Sequence, residues 1–269
     1  MDSTLLAVLL GVIQGILEWL PVSSEGVLAL VRTAAGFDEL EATQFGLFLH
    51  LGTAVAAMAY YREEVLALFA DLPAWRVQTA FSERADLSFF VLATATSLLT
   101  GAIAYLGLAE LVSLFSGGAF VALIGVLLVV TGVVQFVAEG SSSHREFPDG
   151  VDAVVVGALQ GLAVLPGISR SGTTVSVLLL RGHDGEGSLR LSFLLSIPAA
   201  VAASVLVLID TGLPGIDPVE AVLALGVSAV VGYLTVGTLV AVVQRIAFWA
   251  VCLAFGVLAI LGGLVVVAL

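Results

Sequence analysis

No lysine occurs in this chain. All nine basic residues are arginine, set against 21 acidic ones, for a formal net charge of −12. That balance leaves no basic stripe to meet a nucleic-acid backbone, whose phosphates dominate such binding, so no nucleic acid is expected as a partner. Cysteine is almost absent: Cys252 stands alone, which excludes an internal disulfide and any Cys/His cluster for a soft metal. Charge of both signs is thin, at 11% of 269 residues, where a soluble domain carries about 25%. The longest polar connections, 62–86 and 139–150, are too short to hold a soluble domain. What fills the chain is apolar. Hydrophobic residues make up 60%, mean hydropathy is +1.16, and runs close to the ~20 residues that cross a bilayer recur throughout. These features predict an all-α, polytopic membrane protein folded as one domain over 1–269. The start, from Met1 to Leu6, has no basic n-region and is read as retained.

Eight apolar segments fall into two sets. Residues 4–31, 43–61, 87–108 and 119–138 form the first, and 151–180, 189–209, 219–243 and 248–269 the second. Gly11, Gln14, Gly15, Ser23 and Gly26 recur as Gly157, Gln160, Gly161, Ser169 and Gly172 at a constant offset of 146. Leu49 and Ala54-Val55-Ala56-Ala57 recur as Leu195 and Ala200-Val201-Ala202-Ala203 at the same offset. A duplication is expected, with repeat one over 1–140 and repeat two over 150–269. Pro21 and Pro166 interrupt the first segment of each set, so each should dip into the membrane and return as a re-entrant helical pair. Three crossings then follow in each repeat, an odd number, and the second repeat enters from the opposite face. Such inverted-topology repeats bring their two breaks together near the midplane. Lipid tolerates broken backbone only where protein or a water-filled cavity covers it, which makes the breaks the place to look for a site.

Arginine placement bears on the same topology. Arg62, Arg76, Arg84, Arg145, Arg181, Arg190 and Arg245 fall on one side and Arg32 alone on the other. The positive-inside rule then puts the arginine-rich loops of this multi-pass plasma-membrane protein in the cytoplasm and both termini outside. Trp19 and Trp249 read as interfacial anchors or packing residues. His144 and His183 fall in polar loops and are expected to be solvated.

The chemistry gathers at the breaks. Gln14 and Glu18 are four apart and share a helix face. Ser23 and Ser24 are N-cap candidates for the returning half-helix, as are Ser169 and Ser171, followed by Gly172-Thr173-Thr174. Two half-helix starts aimed at one point offer N–H groups and positive dipole ends to an anion. Arg170 sits among them, although an arginine at membrane depth costs about 2.5–3.5 kcal/mol on insertion scales. It is retained either to clamp a phosphate with its planar fork or to bridge Glu18 and hold the repeats together. A carboxylate beside a phosphate is repulsive unless a cation lies between. Glu18, with the Gln14 carbonyl oxygen, is therefore a candidate ligand for Mg²⁺ or Ca²⁺, or a base. Glu25 is a candidate assistant or a residue facing water at the mouth. His50, in the second apolar segment, is a packed helix residue or an auxiliary group of the site.

At these residues the chain resembles the undecaprenyl-diphosphatase (bacitracin-resistance) family. The resemblance lies in Gln14 and Glu18, in Leu20-Pro21-Val22-Ser23-Ser24 with Gly26, and in Pro166-Gly167-Ile168-Ser169-Arg170-Ser171-Gly172. Leu51-Gly52, Tyr61-Arg62 and the run Arg190-Leu191-Ser192-Phe193 through Pro198 add to it, and Asp152 stands where the family often has an acid. It implies an integral-membrane phosphatase that releases orthophosphate from a polyprenyl diphosphate carrier, at a site open to the outer face. By the same resemblance Glu18, Ser24 and Arg170 are catalytic: Glu18 binds the cation and activates the attack, Ser24 is the nucleophile or a phosphate donor, and Arg170 clamps the diphosphate. Ser23, Gly26, Ser169, Ser171, Gly172 and Thr173 surround it.

One departure matters. The family commonly has a histidine directly after the glycine of its first motif, and this chain has Val27. Three substitutes are available: Glu18 acting directly on a metal-bound water, Glu25 as base, or His50 reaching in. Two other functions fit the same residues, a polyprenyl-phosphate flippase and a catalytically altered lipid-binding relative. A homodimer is compatible with either.

Overall fold

The computed structural model describes residues 3–76, 80–141, 145–243 and 245–268. Among them there are helices and no strand. In chain order they are α1 (Ser3–Leu17), α2 (Ser24–Ala34), α3 (Glu39–Tyr60), α4 (Arg62–Asp71), α5 (Ala80–Glu83), α6 (Ala85–Leu114), α7 (Gly118–Ala138), α8 (Gly150–Gly161), α9 (Arg170–Leu180), α10 (Gly185–Asp210), α11 (Pro218–Val243) and α12 (Phe248–Ala268). Six of them, α3, α6, α7, α10, α11 and α12, are long and apolar enough to cross a membrane. The segments 4–31 and 151–180 are each split into two short helices, as their prolines require. The 62–86 connection is not all loop, since it carries α4 and α5. Helices also overrun the apolar segments. α3 starts at Glu39 because Asp38 caps it, accepting from the N–H groups of Leu40 and Glu41 at 2.9 and 3.2 Å.

Packing pairs the elements in a regular way. α1 lies chiefly on α11, α8 on α6 and α7 on α12, while α3 packs against both α10 and α11. The short helices pack so closely that no side chain fits between: a Cβ on Gly11 would lie 2.6 Å from the Ala224 oxygen, and one on Gly161 2.5 Å from the Gly101 nitrogen. Small residues give membrane helices this approach, since burial from lipid supplies no hydrophobic drive of its own.

Polar contacts mark the two ends of the bundle. At one end, Arg32 is buried and bonds to Glu41 (2.8 Å) and the Gly215 oxygen (3.3 Å), with Phe37 and Phe45 against its guanidinium. The Gly117 N–H reaches Glu39 at the same end (2.7 Å). A full length of α3 away, Arg84 pairs with Asp71 and Arg190 with Asp86. Phe147 closes a shared cavity with those four, which brings the loop before α8 to that second end.

The second end also holds a buried ion cluster. Asp149 caps α8 in a reciprocal capping box with Asp152. Asp152 is fully buried and takes Arg145, Arg181 and His183, the last at 3.0 Å. His183 is therefore not solvated as its polar loop suggested: it is 4% exposed, because a buried carboxylate needs donors on every side. His144 lies outside the described residues. Burial pushes the Asp149 carboxyl up, but the Asp152 N–H and the Arg145 and Arg181 guanidiniums outweigh it and hold it at about 2. A carboxyl lowered on folding stabilises the folded state above its ordinary value near 3.9 and loses that contribution as pH falls toward its folded value. The thermal midpoint in detergent should fall between about pH 4 and pH 2 more steeply for the native chain than for Asp149→Asn. Parallel curves would show that the cluster carries no such stability.

Candidate functional site

Each break is built by its own local chemistry. α1 stops at Leu17, where Leu20 N–H turns back to Leu17 O (3.1 Å) and Pro21 cannot continue the helix. Ser23, in extended conformation, accepts from Gly26 N–H (3.1 Å) and starts α2. α8 runs into a short 3₁₀ turn, Leu162–Val164, before Pro166. Gly167 then takes φ +107°, and a Cβ there would also strike the Ile124 oxygen at 2.6 Å, so only glycine serves. Ser169 caps α9 by accepting from Gly172 N–H (3.1 Å). The caps are thus Ser23 and Ser169; Ser24 and Ser171 lie in the first helical turns with their hydroxyls free for other partners.

The two tips touch. Ser23 Oγ also accepts from Gly167 N–H at 3.0 Å, and Ser171 Oγ donates to Leu20 O at 3.1 Å. Gln135 of α7 donates to Pro21 O at 2.6 Å. Across this seam Arg170 reaches Glu18, with Nη2 to Oε1 at 2.6 Å. The other Glu18 oxygen, Oε2, gathers Gln14 Nε2 (2.9 Å), Ser24 Oγ (3.0 Å) and His50 Nε2 (3.2 Å). His50 Nδ1 lies 2.7 Å from Gly46 O, and a carbonyl only accepts, so Nδ1 carries hydrogen. Glu18 is 6% exposed, and Gln14, Ser24 and Arg170 each donate to it.

Most residues singled out from sequence meet here. Glu18, Ser23, Ser24, Glu25, His50, Arg170 and Ser171 line one cleft, and Gln14 borders it through Glu18. Gly26, Ser169 and Gly172 act in the caps. Thr173 stands apart: it is half-buried, is not among the residues lining the cleft, and its backbone N–H donates to Ser169 O (2.9 Å). Glu25 does not face water at a mouth. It is 3% exposed, and its Oε1 has no partner among the described residues, as is true of Gln14 Oε1. Trp19 is packed rather than interfacial, edge-on to Phe193 at 5.6 Å.

The cleft is shut. Its volume is 20 Å³, room for about one water and none for a diphosphate head. The Arg170–Glu18 bridge closes it, so any ligand with a diphosphate head has to part that pair. A larger cavity of 450 Å³ touches the tips from behind, through Trp19, Pro21, Ser171 and Gly172, with Arg245 at its rim.

Residues to which the sequence reading gave no site role support the guanidinium and the tips. Arg170 Nη1 donates to Ser192 O (3.3 Å), Thr174 Oγ1 and Ser192 Oγ share a bond at 2.6 Å, and the Phe193 ring lies 5.9 Å from the Arg170 carbon. Thr131 accepts from Ser169 N–H at 3.3 Å. Thr131 and Gln135, one turn apart on an otherwise apolar helix, were the available signal, since polar groups inside a membrane seldom lack a task. No group of three or more His, Cys, Asp and Glu side chains disposed to hold a metal occurs among the described residues. The free oxygens of Gln14 and Glu25 beside the Glu18 carboxylate are nonetheless the hard-oxygen donors that Mg²⁺ or Ca²⁺ takes.

The chain matches the family described as "Bacitracin resistance protein BacA" over residues 7–261. It is 59% identical over 268 residues to a protein named undecaprenyl-diphosphatase from Haloarcula marismortui, covering 99% of both chains. A protein of the same name from Methanococcoides burtonii is 37% identical over 260 residues, covering 95% of this chain and 96% of its own. One from Carboxydothermus hydrogenoformans is 34% identical over 248 residues, with 89% and 88% covered.

Proposed function

The chain belongs to the bacitracin resistance protein BacA family, and from that premise we propose how its joined breaks work. It is an integral-membrane phosphatase that hydrolyses an undecaprenyl-type diphosphate to the monophosphate and orthophosphate, returning the lipid carrier for reuse. The observation that carries the site assignment is Glu18, placed between Ser24, His50 and Arg170 where the two breaks meet.

The diphosphate replaces Glu18 as the partner of Arg170. Its fork suits two phosphate oxygens, and the first turns of α2 and α9 add N–H donors and positive dipole ends. Freed of its countercharge, Glu18 takes the proton from Ser24 Oγ. That oxygen bonds to the terminal phosphorus as the bridging P–O bond breaks, and polyprenyl monophosphate leaves. Water then cleaves the phosphoserine, releasing orthophosphate and restoring the hydroxyl. His50, against the same Glu18 oxygen, holds the carboxylate in place and fills the part that Val27 leaves empty in this chain. Such a transfer asks mainly for positioning and charge stabilisation. A divalent cation would be held by Gln14, Glu25 and Glu18, and supplies charge neutralisation at the phosphoryl oxygens.

The wider arrangement belongs to the same proposal. Residues 1–140 and 150–269 are inverted repeats, which accords with α1 pairing to α11 as α8 pairs to α6. The arginine-rich end faces the cytoplasm and both termini lie outside. A second reading, a lipid-phosphate flippase, draws on the 450 Å³ cavity behind the tips. The two separate in one assay on the purified chain with a polyprenyl diphosphate, with a divalent cation and after chelation. Orthophosphate release, lost on chelation, is expected. Lipid movement across vesicles with no orthophosphate released would replace the phosphatase with the flippase.

A further inference from the structure

The cleft around Glu18 leads onward. His50 and Arg170 also line a space of 50 Å³, which in turn shares Gln160, Val164, Ala199 and Ala203 with one of 220 Å³ between α6 and α10. The three spaces share walls and run in series from the charged centre to the flank of α6. Leu98, on the wall of the last one, is 41% exposed to the surroundings of the bundle. An apolar cavity of about 150 Å³ already takes a benzene-sized guest, so 220 Å³ is room for a methyl-branched hydrocarbon unit and more.

Gly101 of α6 and the small residues Ala199, Ala202 and Ala203 of α10 face each other across the wider space, and a Cβ on Gly101 would meet nothing nearer than Gly161 Cα at 3.6 Å, an ordinary contact. One polar group remains at the junction of the two outer spaces. Gln160 is 3% exposed, and its Nε2 donates to Ser97 Oγ (3.0 Å) and Leu195 O (3.3 Å), while its Oε1 has no partner among the described residues. A buried amide oxygen left over beside a charged cleft is an acceptor for a protonated phosphate oxygen or a water arriving with the ligand.

We infer that this passage holds the isoprene units nearest the diphosphate and leads the chain out between α6 and α10, with Ala199 and Ala203 setting which tails enter. The inference rests on the phosphatase reading of the cleft and adds the path of the tail. Short side chains on α10 leave the path open; a bulky one at either alanine closes it.

The experiment measures kcat/KM for isopentenyl and farnesyl diphosphate in the native chain and in Ala203→Phe. It is run beside photolabelling of the native chain by farnesyl diphosphate carrying a diazirine on its second isoprene unit. The plug should lower the farnesyl-to-isopentenyl ratio by about 10-fold or more, and the label should fall on α6 or α10. A ratio within about twofold of native, far below what a filled apolar pocket costs, or label confined to other helices, overturns the passage. Should Ala203→Phe fail to fold, Ala199→Val carries the same comparison. If the native chain releases orthophosphate from neither compound, the phosphatase reading falls while the labelled helices still decide the passage.

Discussion

Glu18→Gln should lower orthophosphate release by about 10³-fold, within the 10²–10⁴ that a positioned acid or base contributes. The amide keeps the shape of the carboxylate and one acceptor oxygen. It loses the negative charge and turns a second acceptor into a donor. Around Oε2 that is fatal to the arrangement, because Gln14 Nε2, Ser24 Oγ and His50 Nε2 all point at one atom. An amide nitrogen there would face the Gln14 and Ser24 donors, and no carboxylate would remain against Ser24 to take its proton. The substitution also strips Arg170, 12% exposed along its side chain, of its countercharge. Removing one member of a buried ion pair costs about 3–5 kcal/mol. Release is therefore to be read at a temperature where the variant's melting curve shows it folded. Near-native kcat in a folded Glu18→Gln would remove Glu18 from the chemistry and leave it as the strut between the breaks.

The second large effect is expected at Arg170. Arg170→Lys keeps the charge but exchanges a planar fork for a point charge on a flexible stem. The fork is already aimed, with Nη1 on Ser192 O at 3.3 Å, Nη2 on Glu18 at 2.6 Å, and Phe193 beneath it. An ammonium group cannot hold both directions, so it stabilises the phosphoryl charge less well and leaves Glu18 less cleanly on substrate binding. A loss of about 10²–10³ in kcat is expected, the cost of removing one well-placed donor to a developing oxyanion. Arg170→Ala should lose more, with partial recovery from added guanidinium ion. Full activity in Arg170→Lys would show that charge alone suffices and would sink the two-pronged clamp.

The site was legible in the sequence to an uneven degree. Gln14, Glu18, Ser24 and Arg170 could be named because each is polar in an apolar run, and such residues are expensive unless they serve something. His50 could not be placed, since a histidine on a long apolar helix looks the same whether it packs or reacts. Only the crossing of α3 past the first break puts its ring on Glu18. Glu25 was ambiguous for a similar reason: one residue after Ser24 on a helix start, it turns toward water or protein according to what packs there, and α3 packs there. His183 was misread because its neighbours in sequence are polar, while its partner, Asp152, lies far off in the chain on α8. Arg170 is the most instructive case. Sequence allowed it to bind phosphate or to bridge Glu18; in the shut cleft it bridges, and the proposal is that the substrate takes over that bond.

Composition and spacing by themselves determined the membrane class, the all-α architecture, the two interrupted segments and the kinds of side chain at their tips. Those follow from rules that act along the chain: bilayer thickness sets helix length, backbone hydrogen bonding rules out loose strands in lipid, and a proline costs a helix a hydrogen bond, which breaks the chain at Pro21 and Pro166 although α10 runs on through Pro198. Tertiary structure alone decided which residues share a carboxylate, that the cleft is closed, and where an open seam between α6 and α10 leads away from it. Distances between residues far apart in the chain depend on how helices approach. That approach is set at glycines such as Gly161 and Gly11, whose partners no local pattern names.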